Sequence, residues 1–196
     1  MKTSIKVLIA LITIMVCANI LMAQNTTTTT GIYLTEQDYK ANKLSYVLGD
    51  NDRLRQNAFL NGKNVVLTYQ GKKVKLSKNE IYGYRQNGTD FRFFNTEAYQ
   101  ILDTVGFMLY SHDKLVQKGK GNVPVAAYYY SVNGQQPVMD LTVANLWKSF
   151  PAQSGFRYSV RSYFRSDADL ISYDRQVKMY MIKYLFLKQG QEIAAR

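Results

Sequence analysis

Cysteine is nearly missing from this sequence. Cys17 is the only one in 196 residues, and it falls in the apolar start of the chain. Downstream of it, disulfides, thiol catalysis, Cys-ligated zinc and covalent haem attachment are excluded. Histidine is as scarce: His112 stands alone, so a zinc site would need carboxylates for its other ligands. No Gly-x-Ser-x-Gly elbow presents a nucleophilic serine. Acids are outnumbered, with 14 Asp+Glu against 25 Lys+Arg and a net charge of +11. After the first 23 residues no apolar run approaches the ~20 residues of a membrane-spanning helix. The expected cofactor and metal content is accordingly none.

What is present begins with an export signal. Lys2 and Lys6 precede an apolar run from Val7 to Val16 broken only by Thr13. Leu21-Met22-Ala23 then offers small and aliphatic residues at −1 and −3 of a cut before Gln24. Residues 1–23 therefore read as a cleaved signal peptide and 24–30 as a flexible threonine-rich leader. An uncleaved anchor would need a longer run without Asn19. A lipoprotein cut before Cys17 would want a small residue where Val16 stands and a polar stretch where Ile20, Leu21 and Met22 follow. The implied location is the periplasm, outer envelope or exterior.

The remaining chain is long enough for one domain with a packed core. The signal holds two lysines and no acid, which leaves +9 for the mature part. An exported basic surface points away from nucleic acid and toward anionic lipid, acidic glycan or an acidic protein, or serves solubility alone. Tyrosine occurs 16 times; its apolar ring and polar tip suit sheets, interfaces and sugar-binding faces.

Ten of the 12 glycines lie in 31–134, and the patterning changes near Asp140. Ile32 to Leu34 reads as extended. Thr35 reads as an N-cap, with Glu36 and Asp38 in the first turn of a short helix to Asn42. Asn61-Gly62, Asn87-Gly88 and Asn133-Gly134 are hairpin signals, and Gly71-Lys72 is another turn. Around it Val65, Leu67 and Tyr69, then Val74 and Leu76, alternate with polar residues as a hairpin with one wet face. Ile81–Gln86, Phe91–Phe94, Val105–Tyr110 and Val125–Val132 supply further strands. Lys114 to Asn122 reads as a polar loop. Beyond 140, Val143, Leu146, Trp147 and Phe150 form a helical stripe ending at Pro151, and Phe156, Val160, Tyr163 and Phe164 form a second. Val177, Met181, Tyr184 and Leu185 form a third, although 174–188 also alternates as a strand. The expected architecture is α+β. An antiparallel meander of about seven or eight strands, β-rich over 31–139, is followed by two or three helices over 140–189 packed on one face, with a tail at 191–196.

Candidate chemistry is thin. His112 lies between Ser111 and Asp113, but neighbours in a strand point to opposite faces. Asp50/Asp52 and Asp167/Asp169 lack the spacing and glycine of a calcium loop; Asp167 or Asp174 reads as a helix cap. Asp103-Thr104-Val105 resembles an O-glycan acceptor of exported Bacteroidota proteins and also reads as a turn. The most distinctive surface feature is Arg157, Arg161 and Arg165. On one continuous helix their spacing sets three guanidinium groups along a flank. That flank suits a phosphate or acidic partner, or is simply the wet side of an amphipathic helix.

The segments GIYLTEQDYKANKLSYV, VKLSKNEIYGYRQNGTDFRFF, DLTVANLWKSFP and YDRQVKMYMIKY together resemble exported Bacteroidota proteins with a GxYLTxxDF-like start and a K-x-x-I-x-G-Y/F-R segment. Tyr39 stands where that pattern has Phe. The resemblance spans most of the mature chain, implies an envelope or secreted location, and carries no chemistry.

The leading expectation is a non-enzymatic interaction module with a basic, Tyr-rich surface. The alternatives are a hydrolase of envelope glycan or peptide using carboxylates distant in sequence, or a structural subunit of a surface assembly. N-terminal sequencing of the exported protein should give a chain starting at Gln24. A lipid-bearing chain starting at Cys17 would instead make it a lipoprotein.

Overall fold

The computed structural model describes residues 29–56 and 62–194. The signal, the cut after Ala23, the leader through 28 and Asn61 of the first Asn-Gly pair lie outside the described residues. The fold is α+β: a large antiparallel sheet with short helices, mostly C-terminal.

The first strand, β1 (Thr30–Tyr33), leads into α1 (Glu36–Lys40). Thr35 caps this helix as expected. Its hydroxyl accepts from the Asp38 N–H, and the Asp38 carboxylate accepts from the Thr35 N–H, so two otherwise orphaned donors are satisfied reciprocally. The chain continues through β2 (Tyr46–Leu48), β3 (Arg53–Gln56), β4 (Asn64–Tyr69), β5 (Lys72–Ser77), β6 (Gly83–Gln86), β7 (Thr89–Phe94) and β8 (Glu97–Asp103). The long hairpin β9 (Met108–Lys118) and β10 (Gly121–Ser131) follows, and β11 (Met139–Asp140) completes an eight-stranded sheet ordered β11-β10-β9-β8-β7-β6-β1-β2. Strands β3, β4 and β5 form a separate three-stranded sheet. At the β4–β5 and β6–β7 turns, Gln70-Gly71 and Asn87-Gly88 all have positive φ, as a two-residue type I′ turn requires.

Cross-strand register assigns the faces. Ile32 pairs Tyr84, Tyr84 pairs Phe91, Phe93 pairs Ala98, and Leu109 pairs Tyr130. Alternation puts these residues on one side. At the β1–β6–β7 end this side packs against Val65 and Leu67 of the small sheet. At the β9–β10 end, Phe107, Leu109 and Tyr130 pack against α2 (Val143–Ser149), α3 (Ser154–Tyr163) and α4 (Met181–Ala194), through Leu146, Phe150, Phe156, Val160 and Ile182. The C-terminal helices thus cover one face, as the stripes predict. The opposite face carries Tyr33, Arg92, Tyr99, Tyr110 and Tyr129, with Tyr39 of α1 laid over it.

Four segments differ from the sequence reading. Lys114 to Asn122 is not a loop. It is the distal half of the β9–β10 hairpin, closed at Gly119-Lys120 with Gly119 at φ +65°. Its lysines are the polar partners of a ladder that also holds Leu115, Val116 and Val123. Asn133-Gly134 does not close a two-residue hairpin. The Asn133 Oδ1 accepts from the N–H groups of Gln135 and Gln136, folding a wider loop that returns at β11. The ambiguous stretch 174–188 contains both structures: a small ribbon of β12 (Tyr173–Asp174) with β13 (Met179–Tyr180), then α4. Finally, α4 passes through Gly190 to Ala194, beyond the boundary expected at 189.

One buried lysine fastens α4. Lys183 is fully buried. Its Nζ donates to the carbonyls of Val105 and Phe107 and lies 3.7 Å from Asp103 Oδ1. Burial pushes this ammonium down to about 7, with Asp103 pulling the other way. An unfolded lysine titrates near 10.5, so across pH 7–10.5 the unfolded chain holds a proton the folded chain has shed. Stability therefore rises with pH over that window. The buried tyrosines act oppositely. Desolvation pushes Tyr39 and Tyr99 up to about 12, and Tyr33 and Tyr82 further still. Above about pH 10 the unfolded chain loses phenolic protons first and stability falls. Urea unfolding from about pH 6 to 11 should trace a rise and then a fall. Lys183→Met should flatten the rise, which amounts to up to roughly 4 kcal/mol, and keep the fall. An unchanged slope between pH 7 and 10 in that variant would assign the linkage to another group.

Candidate functional site

Arg157 and Arg161 sit one turn apart on α3, which ends at Tyr163. Arg165 does not continue the row. Phe164 is already extended, and the Arg165 N–H donates to Asp169 Oδ2 at the start of a 3₁₀ turn, Asp167–Ile171. The flank therefore carries two guanidinium groups rather than three. Both lie on one ring. The central carbon of Arg157 is 4.5 Å, and that of Arg161 4.1 Å, from the centre of Trp147 on α2. Tyr158 meets the same indole edge-on at 5.4 Å. Among the described residues neither arginine has a carboxylate within 4.0 Å, and Arg157 Nε is shut from solvent without a hydrogen-bond partner. Two like charges no more than about 9 Å apart repel by roughly half a kcal/mol in water, which their contacts with the indole face, at about 0.5–1 kcal/mol each, offset.

The stripe's spacing predicts that Trp147 and Phe150 both pack their helix onto the sheet. Phe150 does so, at 5% exposure within the core. Trp147 is half-buried and turned toward α3.

A second constellation lies on the opposite face of the sheet. A cleft of about 490 Å³ is lined by Glu36, Tyr39 and Lys40 of α1, Tyr82 just before β6, Arg85 and Asp90 of the β6–β7 hairpin, Thr104 and Gly106 to Met108, and Val132 to Gly134. Its charges are paired internally. Glu36 holds Lys40 at 2.7 Å, and Arg85 grips Asp90 through two bonds of 2.7 and 2.8 Å. The Tyr33 hydroxyl donates to Asp90 as well. Tyr39 stacks on Tyr82 at 5.2 Å and meets Tyr33 edge-on. Gly134 leaves room for the Glu36 carboxylate, which a Cβ at that position would overlap.

Beneath the cleft Arg92 is buried. Its Nη1 donates to the Tyr110 hydroxyl at 2.9 Å and to Ser131 Oγ at 3.0 Å, and its Nη2 to the Gln136 carbonyl at 2.9 Å. The rings of Tyr82, Phe94 and Tyr110 surround it at 5.8–5.9 Å.

The remaining candidates resolve into local architecture. His112 Nε2 lies 2.7 Å from Glu97 and its Nδ1 lies 3.0 Å from the Ala98 carbonyl, which clamps the start of β8 onto β9. It pairs with Ala127, whereas Ser111 pairs with Tyr128 on the other face. Asp52 accepts from the N–H groups of Gly49 and Gln70. Asp167 accepts from the Val143 N–H at the start of α2, so it does cap a helix. Asp174 holds a turn through Gln176 and Val177. Asp103 Oδ1 accepts from the Val105 N–H, the turn that Asp103-Thr104-Val105 suggests. Among the described residues no three His, Cys, Asp or Glu side chains gather as a metal site would need, and no helix is long and apolar enough to cross a membrane. The distal β9–β10 arm exposes Leu115 at 71%, together with Val116, Val123 and Val125.

Comparison of the chain with family models, curated proteins and solved structures gave no match.

The different settings of Trp147 and Phe150 have measurable consequences. In urea unfolding, Phe150→Ala should cost about 3–5 kcal/mol, as a core aromatic does. Trp147→Ala should cost about 1–2 kcal/mol, because it loses packing between helices and two cation–π contacts but opens no core cavity. Equal costs would place the indole in the core.

Proposed function

We propose that the protein is an exported, non-enzymatic interaction module that docks on an anionic envelope surface through Arg157 and Arg161. The observation that carries this reading is the pair of guanidinium groups stacked on Trp147 with no acidic partner among the described residues. Stacking on an indole removes conformational freedom that a free arginine would lose on binding. Their remaining N–H groups suit phosphate oxygens. The net charge of +9 on the mature part adds long-range attraction toward such a surface. The pair sits on a helix flank rather than in a pocket, which favours a broad phosphate-bearing surface over a small anion.

A second reading, a subunit of a surface assembly, draws on the projecting β9–β10 arm with its exposed Leu115, Val116, Val123 and Val125. The hydrolase reading has less support. Glu36 and Asp90 line one cleft, but each is engaged by a cation.

The test compares wild type with the double variant Arg157→Gln/Arg161→Gln on phosphatidylglycerol vesicles at low and high salt. Equal folding of the two proteins must first be shown, since the arginine stems pack on Trp147. The variant should bind roughly tenfold or more weakly at low salt. The difference should shrink as salt shortens the Debye length to about 8 Å and below. Equal binding at low salt would leave the pair as a solvated helix face.

A further inference from the structure

We propose that the cleft under α1 binds a neutral saccharide, through the hydroxyls of Tyr39, Tyr82 and Thr104 and the side-chain amide of Asn133. This site is separate from the arginine pair and does not depend on it.

The cleft's size comes first. At about 490 Å³ it falls within the range of small-ligand pockets, roughly 300–1,000 Å³. Its apolar lining includes the Met108 side chain, and the stacked rings of Tyr39 and Tyr82 form a wall. Such surfaces suit the C–H faces of a sugar ring.

The charges decide the ligand's sign. The chain as a whole is strongly basic, yet the cleft holds two acids and two bases that pair with each other, Glu36 with Lys40 and Asp90 with Arg85. A phosphate or carboxylate would sit beside both acids and compete with Asp90 for the partly buried Arg85, leaving Lys40, a largely exposed cation already paired with Glu36, as its other partner. A cation would meet the same cost in reverse. The ligand is therefore uncharged.

The free hydrogen-bonding groups decide its polarity. Among the described residues, the Tyr39 hydroxyl and the Thr104 hydroxyl have no hydrogen-bond partner. The Tyr82 hydroxyl has only the Met108 thioether at 3.7 Å. Asn133 uses its Oδ1 on the loop backbone, and its amide N–H groups remain. A purely apolar ligand would strip water from these groups without replacing it. A polyol replaces each bond, and the Glu36 carboxylate retains lone pairs to accept further hydroxyls.

Saturation-transfer difference NMR of the protein tests this with glucose, galactose, mannose and N-acetylglucosamine, beside the charged analogues glucose 6-phosphate and glucuronate. At least one neutral sugar should receive saturation, and more strongly than the charged analogues. Tyr39→Phe and Tyr82→Phe keep the stacked rings and delete only the hydroxyls; each should weaken that sugar roughly three- to tenfold. Thr104→Ala, at an exposed position, should weaken it comparably and leaves the core untouched. Transfer to none of the neutral sugars, preference for a charged analogue, or unchanged affinity in all three variants would overturn the proposal.

Discussion

The Arg92 guanidinium has no carboxylate partner within the described structure, and the sheet is organised around keeping it content. A bare buried cation costs several kcal/mol. Here the cost is met by three neutral acceptors, the Tyr110 and Ser131 hydroxyls and the Gln136 carbonyl. Hydrogen bonds to a charged donor contribute about 1.5–3 kcal/mol each. Because those acceptors come from β9, the end of β10 and the loop after it, the charge fixes β7 against strands that are not its neighbours in the sheet. It also fixes Tyr110, whose hydroxyl in turn touches the Met108 thioether. Tyr82 and Met108 of the cleft therefore rest on a network that needs its cation in place.

The protein separates two kinds of electrostatics. On the helical side, Arg157 and Arg161 stand over Trp147 with their charge unspent. On the opposite face of the sheet, each charge in the cleft is neutralised within a few ångströms. Net charge alone would have suggested one basic surface throughout. Local pairing means that one face of this domain presents a field and the other presents hydrogen-bonding shape. Under the two proposals, the faces would serve different ligands without competing.

How much of this was legible in the sequence varied with the range of the signal. Local chemistry was readable. Thr35 and Asp38 announced α1, Asn87-Gly88 announced the β6–β7 turn, and the Leu146 and Phe150 spacing announced the face of α2. The Arg165 error came from extending a helix by arithmetic. Ser166-Asp167-Ala168-Asp169 is itself a helix-start pattern, and its capping box required the preceding helix to have ended. Trp147 failed differently. It belongs to the apolar stripe, but the stripe is wider than the sheet contact, and its edge residue meets α3 instead. The lysine and glycine content between 114 and 122 disguised a ladder whose pairing partners lie only a few residues away. The cleft was not legible at all. Tyr39, Tyr82, Thr104 and Asn133 come from four separated segments, and only the β6–β1 register, the network at Arg92 and the fold of the 132–138 loop bring them together.

The cleft is also held from behind. Its wall from Thr104 to Met108 joins β8 to β9, and a bulge near Ile101 and Asp103 shifts the register just before it. Gly106 adopts φ +77°, and a side chain there would collide with Phe186 of α4. On the same helix Lys183 takes the carbonyls of Val105 and Phe107. The segment thus presents one side to the cleft and gives its backbone carbonyls to a helix on the far face of the sheet. A loop in this position would ordinarily be among the more mobile parts of a domain. Here a buried amine, a close aromatic contact and the Asp103 turn hold it. The C-terminal helix does more than cover the core: it sets the position of a wall that it never touches from the cleft side.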